Sequence, residues 1–325
     1  MSFCRKSDGK TGKSSALHYK RNFWLLVFGL IHAHFIWYGD ILVSYALCAF
    51  WVYWFRNRSP RFLTISAVIL LAVASLYSLF VHFALNNNYI PQESLNDILK
   101  FWQPDAEVLR KEINAYLGNP IAQFQQRSAD ALFFETQLFL TTFLWRAGGM
   151  MLLGMALYKS GILLGKRSNK FYLVLAIVGC GIGLSLSSYG VVKNLENNFE
   201  LNYSMFWGNQ FNYWGSVFTC LGYIGVINLM LAKSLLKGLQ RRLASVGQMA
   251  FSNYICHSVF CTFIFYGHGL GLFGAVERWQ QLVIVLLVWV LQLWYSPLWL
   301  NKYHFGPLEW AWRSLTYGYR QPFKK

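Results

Sequence analysis

Eight apolar stretches divide this 325-residue chain, and the charges between them are sorted by sign. The segment before Phe23 and those at 56–61, 159–170, 233–242 and 301–325 hold 22 of the 29 Lys and Arg residues, with Asp8 and Glu309 as their only acids. The gaps at 39–40, 84–133, 193–204 and 267–279 hold 6 basic residues and 10 acids. Cationic loops stay on the cytoplasmic side of a membrane, so this alternation predicts an all-α, polytopic transmembrane bundle with both termini cytoplasmic. Only Glu135 and Arg146 are charged residues placed within apolar stretches, at membrane depth.

Composition supports that class. At 55% hydrophobic, 18% aromatic and 13% charged residues, the chain is too apolar for a soluble domain of this length. The net charge of +16 does not indicate a nucleic-acid partner, because it is spread over the cytoplasmic gaps and gathers on no one soluble face. Anionic lipid of the inner leaflet is the partner such loops select. Six cysteines form no CxxC pair, and five of them sit in apolar stretches, so neither a disulfide framework nor a metal site is expected.

By length and flanking charge the spans fall at about 22–38, 41–56, 62–84, 134–158, 171–192, 205–232, 246–266 and 280–300, the last closed by Pro297. The organisation is then a basic cytoplasmic tail over 1–21, a bundle over 22–300 and an aromatic, basic cytoplasmic tail over 301–325. The first two spans are short, about 22–24 Å at the helical rise. Either flanking residues lengthen them, or the Gly39–Asp40 turn lies below the outer surface. The outer segment 84–133, punctuated by Pro91, Pro104 and Pro120, predicts two or three amphipathic helices. It reads as a solvated connector or as a lid. In the C-terminal tail, Leu308–Leu315 predicts an interfacial helix carrying a Glu309–Arg313 pair at i,i+4.

Polar groups at membrane depth are costly and face the bundle interior. Arg146 is the foremost of them, since an arginine at the bilayer centre costs about 2.5–3.5 kcal/mol on insertion scales. It needs Glu135 or Asp40 as a structural partner, or an anionic ligand as substrate-binding cation. His32 and His34 stand at i,i+2 and point to different sides of a helix, which argues against a shared metal. Either histidine can hydrogen-bond within the bundle or work as a general base near neutral pH. Asp40 fits an N-cap of the second span, a partner of Arg146, or a group that activates His32. Asn253 and His257 share a helix face at i,i+4, as packing contacts or as substrate ligands. Asn209, Gln210 and Asn212 open the sixth span and are candidates for the same cavity. No GxSxG, HExxH or phosphate-loop motif of a soluble enzyme is present.

The blocks FGLIHAHFIWYGDILVSYAL, WRAGGMMLLGMALYKSGIL, VGQMAFSNYICHSVFCTFIFYGHGLGLF and FGPLEWAWRSLT occur in the order found in YeiB-like bacterial membrane proteins, a family catalogued as a domain of unknown function. The sequence resembles that family from about Arg21 onward. The family in turn resembles a branch of the transmembrane acyltransferase superfamily, whose members move acyl groups onto envelope carbohydrates. The resemblance implies a multi-pass protein of the bacterial inner membrane, a small-molecule or envelope-glycan substrate, an acyl-CoA-like donor and no bound cofactor. His32 and Asp40 become the catalytic candidates, and Arg146, Asn253 and His257 the substrate-binding ones. It also implies two spans ahead of Phe23, the first with a Leu-Asp-x-x-Arg-Gly type motif, which nothing in this sequence matches. The alternatives are a membrane permease and a non-catalytic, truncated paralogue.

Overall fold

A bilayer supplies no hydrogen bonds, and a helix lets one segment satisfy its own backbone there. The computed structural model describes residues 11–325. Among them there is no strand, only a single bridge between Tyr303 and Lys324. Of the basic tail expected over 1–21, residues 1–10 lie outside the described residues, and from Thr11 onward the chain is already helical. The helices are α1 (Thr11–Phe35), α2 (Leu42–Val52), α3 (Pro60–Asn86), α4 (Gln92–Trp102), α5 (Ala106–Leu117), α6 (Pro120–Phe133), α7 (Leu144–Lys159), α8 (Asn169–Glu196), α9 (Asn209–Ala232), α10 (Lys237–Gln248), α11 (Ala250–Phe265), α12 (Arg278–Lys302) and α13 (Pro307–Tyr317). Two π-helical stretches, Phe134–Phe143 and Leu201–Gly208, lead into α7 and α9.

The chain is thus an all-α, multi-pass membrane protein. Among the described residues, five helices are long and apolar enough to cross a membrane: Pro60–Asn86, Pro120–Lys159, Asn169–Glu196, Leu201–Ala232 and Arg278–Lys302. Leu42–Phe55 and Ala250–Phe265 are apolar but shorter. Their outward residues are as apolar as their inward ones: Ile177, Val290 and Trp294 are all at least 60% exposed, as lipid-facing residues should be. The α1 helix reaches 25 residues by extending into the basic tail past Arg21 and Lys20, and it is not among the helices long and apolar enough to cross a membrane. Its partner α2, even with the 3-10 turn to Phe55, remains short.

Local chemistry sets several helix starts. Ser59 accepts from Phe62 N at 3.3 Å, Ser168 from Phe171 N at 3.2 Å and Asn119 from Ala122 N at 2.9 Å. Two of these caps are followed directly by proline, whose missing N–H is harmless in a first turn. Pro297 does not end α12, contrary to expectation; the helix runs through it to Lys302. A proline leaves the carbonyl four residues earlier without its donor. That carbonyl, Leu293 O, receives Arg242 Nη1 from α10 at 3.1 Å. The side chain of an amphipathic helix replaces the missing bond, so the span continues.

The chain forms two compact units. Among the described residues the first combines 11–51, 111–139 and 237–325, and the second 52–110 and 140–236. In the first unit, the later part of the outer segment is packed rather than a solvated connector. Tyr116 is fully buried, donates to Asp130 at 2.9 Å and lies against the rings of Tyr266 and Phe273 at 4.7 and 4.8 Å. Gly267 N donates to Tyr116 O at 2.9 Å, and His268 pairs with Gln123 at 2.8 Å. Burial, with the charge of Asp130 second, pushes the Tyr116 hydroxyl and the Glu112 carboxyl upward.

In the second unit α8 and α9 pack backbone to backbone. A Cβ built on Gly222 would lie 2.5 Å from Cys180 N, and one on Gly179 would lie 2.5 Å from Gly222 N. Lipid tails are as apolar as leucine, so such close van der Waals contact supplies the association. We expect Gly222→Leu to destabilise the protein by about 1–3 kcal/mol through overpacking. Gly181→Leu, with nothing within 4 Å of its Cβ position, should leave the unfolding temperature in detergent unchanged. Equal melting of the two variants would refute this account of the helix pair.

Candidate functional site

The turn between α1 and α2 builds the most constrained polar group in the first unit. His32 sits in the last turn of α1, and its carbonyl accepts both Ile36 N and Trp37 N at 2.9 Å. Eight residues on, Asp40 precedes α2 and accepts Val43 N at 2.8 Å through Oδ2, the local capping bond that the sequence anticipates. Its other oxygen, Oδ1, accepts from His32 Nδ1 at 2.7 Å. Asp40 therefore both caps a helix and orients the histidine. Tyr254 of α11 donates to the same Oδ1 at 3.1 Å and accepts Ile41 N at 3.3 Å. The Tyr254 and Trp37 rings stand 4.9 and 6.4 Å from the imidazole.

This arrangement fixes a tautomer. A carboxylate only accepts, so the shared proton sits on Nδ1, and a neutral ring then offers its lone pair at Nε2. The whole His32 side chain is 1% exposed, and Nε2 is buried without a hydrogen-bond partner. A buried polar atom with no partner costs free energy, and a catalytic role is one reason for a fold to bear that cost. Tyr254 was not singled out in the sequence. The available signal was its position beside Asn253 in the GQMAFSNY block, two turns before Cys261.

His34 faces differently, as its i,i+2 spacing requires. Its Nε2 lies 3.4 Å from Glu135 Oε2, at the start of the π-helical stretch, and its carbonyl accepts Arg127 Nε at 2.8 Å. Among the described residues, no group of three His, Cys, Asp or Glu side chains is placed to hold a metal ion.

Arg146 belongs to the second unit, and neither of its expected carboxylate partners holds it. Its guanidinium donates to Tyr213 O at 3.0 Å and Ser216 Oγ at 2.7 Å, and lies over the Tyr213 ring at 4.1 Å. Asp40 and Glu135 are each engaged by a histidine instead. A carbonyl, a hydroxyl and a π face solvate the cation without cancelling its charge. Gln210, Asn209 and Asn212 are likewise bonded inside this unit, to Ser75, Met205 O and Ser187.

Asn253 is spent on packing. Its amide donates to Val246 O at 3.1 Å and Ser296 Oγ at 3.2 Å, its oxygen accepts from Tyr295, and its carbonyl takes Gln292 Nε2. It joins α11 to α12 in the way buried amides glue membrane helices. His257, half-buried one turn later, takes part in none of these bonds.

The pair expected between Glu309 and Arg313 does not form. Glu309 turns inward, is 8% exposed, and accepts Phe251 N at 2.7 Å and Ser252 N at 3.0 Å. Ser252 Oγ adds a 2.5 Å bond to the same carboxylate and accepts Leu308 N at 3.0 Å. Arg313 instead stacks on Phe305 at 4.4 Å. A helix N-terminus presents unsatisfied amides and positive partial charge, so a carboxylate there is worth more than a surface ion pair. A Cβ on Gly306 would fall 2.2 Å from Glu309 Oε2, so only glycine fits the chain beside this clamp. Glu309→Ala should destabilise the protein by about 1–3 kcal/mol by orphaning two buried amides. Arg313→Gln should stay within about 0.5 kcal/mol. Thermal unfolding of the two variants separates the clamp from the ion-pair account.

Residues 157–319, the C-terminal half of the chain, match the family described as "Protein of unknown function (DUF418)". The chain is 29% identical to "Uncharacterized protein YxaH" of Bacillus subtilis (strain 168), over 98% of its own length and 76% of that protein. It is 26% identical to "Uncharacterized protein YeiB" of Escherichia coli (strain K12), over 90% of its own length and 73% of that protein. No solved structure matches it. The two sequence blocks joined by the Glu309 clamp both lie inside the matched region. The chain is a multi-pass helical membrane protein of the DUF418 family.

Proposed function

We propose that the protein is an acyltransferase of the bacterial inner membrane that esterifies a hydroxyl of an envelope carbohydrate. The observation that carries this reading is the unpartnered, buried Nε2 of His32, held in place through Nδ1 by Asp40. Such a pair is a general base whose orientation is fixed before substrate arrives. In the reaction, Nε2 takes the proton of the acceptor hydroxyl as its oxygen attacks the acyl carbonyl. The acyl–leaving-group bond then breaks, and the leaving group departs with the proton that His32 returns. Asp40 stabilises the imidazolium formed in between, and Tyr254 shares the Asp40 oxygen. In the second unit, Arg146 has no carboxylate beside it among the described residues and is proposed, by itself, as a cation for an anionic substrate group.

The test is the amount of alkali-labile acyl group released from envelope glycans, measured by mass spectrometry in cells producing each variant at equal membrane levels. General-base catalysis contributes about 10²–10⁴-fold, so His32→Gln should reduce the modification to background. Asp40→Asn should lower it strongly, because an amide can present the wrong group to Nδ1. Tyr254→Phe keeps the ring wall and should retain part of the activity. Full modification with His32→Gln would overturn the proposal. A pH-dependent solute flux lost with Arg146→Gln and kept with His32→Gln would favour a permease instead.

A further inference from the structure

Removal of Glu309 from the surface has an electrostatic consequence. It is the one acidic residue among positions 301–325, which carry Lys302, Arg313, Arg320, Lys324 and Lys325. Buried as the clamp of α11, its carboxylate cannot screen those cations. Arg313 and Arg320 are held on the faces of Phe305 and Trp310, at 4.4 and 5.7 Å. Stacking of this kind pins a guanidinium while leaving its N–H edge free to bond.

Beside them, the end of α13 forms an open surface cavity of about 660 Å³ lined by Trp310, Ser314, Leu315, Gly318, Tyr319 and Arg320. Lys20 of α1 lies beside one of the lining residues: its Nζ is 3.3 Å from where a Cβ on Gly318 would stand. Among the described residues no carboxylate is within ion-pair distance of Lys20, Arg313 or Arg320. Cationic edges therefore meet an apolar wall that includes Leu315, 37% exposed, and Tyr319, 63% exposed. The loop charges put this end of the chain on the cytoplasmic side, where anionic lipid headgroups are concentrated.

We propose that this cavity is a headgroup site for an anionic phospholipid of the cytoplasmic leaflet. The phosphate sits between Arg320 and Lys20, with Ser314 as a hydroxyl donor, and the start of an acyl chain lies along Leu315. A free phosphate shares the charge chemistry, but the apolar wall commits the site to a lipid.

The test is native mass spectrometry of the full protein, delipidated in detergent and titrated with phosphatidylglycerol or phosphatidylcholine. The wild type should retain phosphatidylglycerol in preference. In Lys20→Gln/Arg320→Gln that preference should fall about ten-fold or more, with phosphatidylcholine retention unchanged, since each basic residue near the surface attracts anionic lipid separately. Arg320→Lys should keep most of the preference. Arg61→Gln/Lys170→Gln, which removes two exposed cations elsewhere on the basic side, should not reduce it. Should the double variant fail to fold, the exposed single change Arg320→Gln reads the same ratio. Equal phosphatidylglycerol retention by wild type and variant would overturn the site, and so would an equal loss in the Arg61/Lys170 control. Displacement of the lipid by millimolar glycerol phosphate would assign the cavity to soluble phosphates and overturn the lipid reading.

Discussion

Hydrogen-bond satisfaction without water governs this structure. Every polar atom carried to membrane depth must find its partner in the protein, and the costly exceptions then stand out. Pro297 shows the rule at backbone level: its missing N–H leaves Leu293 O to Arg242. Asn253 shows it for a side chain that spends its whole amide on α12 and α10. His32 Nε2 is notable because the same accounting leaves it without a partner while the atom on the other side of its ring is held firmly.

The Glu309 clamp extends that logic to the C-terminal segment. One carboxylate answers the amides at the start of α11, the helix that also supplies Tyr254 to the His32–Asp40 pair. The clamp therefore positions the helix that bounds the proposed base. By the same step it removes the only acid of the C-terminal segment from the surface and leaves an aromatic, basic face, the one proposed to take a lipid headgroup. A short surface ion pair between Glu309 and Arg313 would have had neither effect.

The family relationship gains physical content from these contacts. The blocks GQMAFSNY and GPLEWAWR are 55 or so residues apart in the chain, and they meet at Ser252 and Glu309. Gly306 is required because the carboxylate occupies the place of its side chain. The turn block IHAHFIWYGD places a histidine and an aspartate on either side of a helix break, which is what lets them bond. Arg146 in the second unit is solvated by Tyr213 and Ser216.

The sequence alone determined the class and the positions of most spans, and its loop charges carry the expectation of sidedness. Those properties rest on hydropathy and loop charge, which are summed locally along the chain. It also pointed to the capping role of Asp40, because that cap and its amide are three residues apart. The tertiary structure alone decided which polar group answers which. Tyr254 reaches Asp40 across 214 positions, Glu309 reaches Ser252 across 57, and Arg146 reaches Ser216 across 70. Periodicity and spacing carry no record of such pairings. They follow from how whole helices pack, and in a dry interior the packing assigns each donor its acceptor.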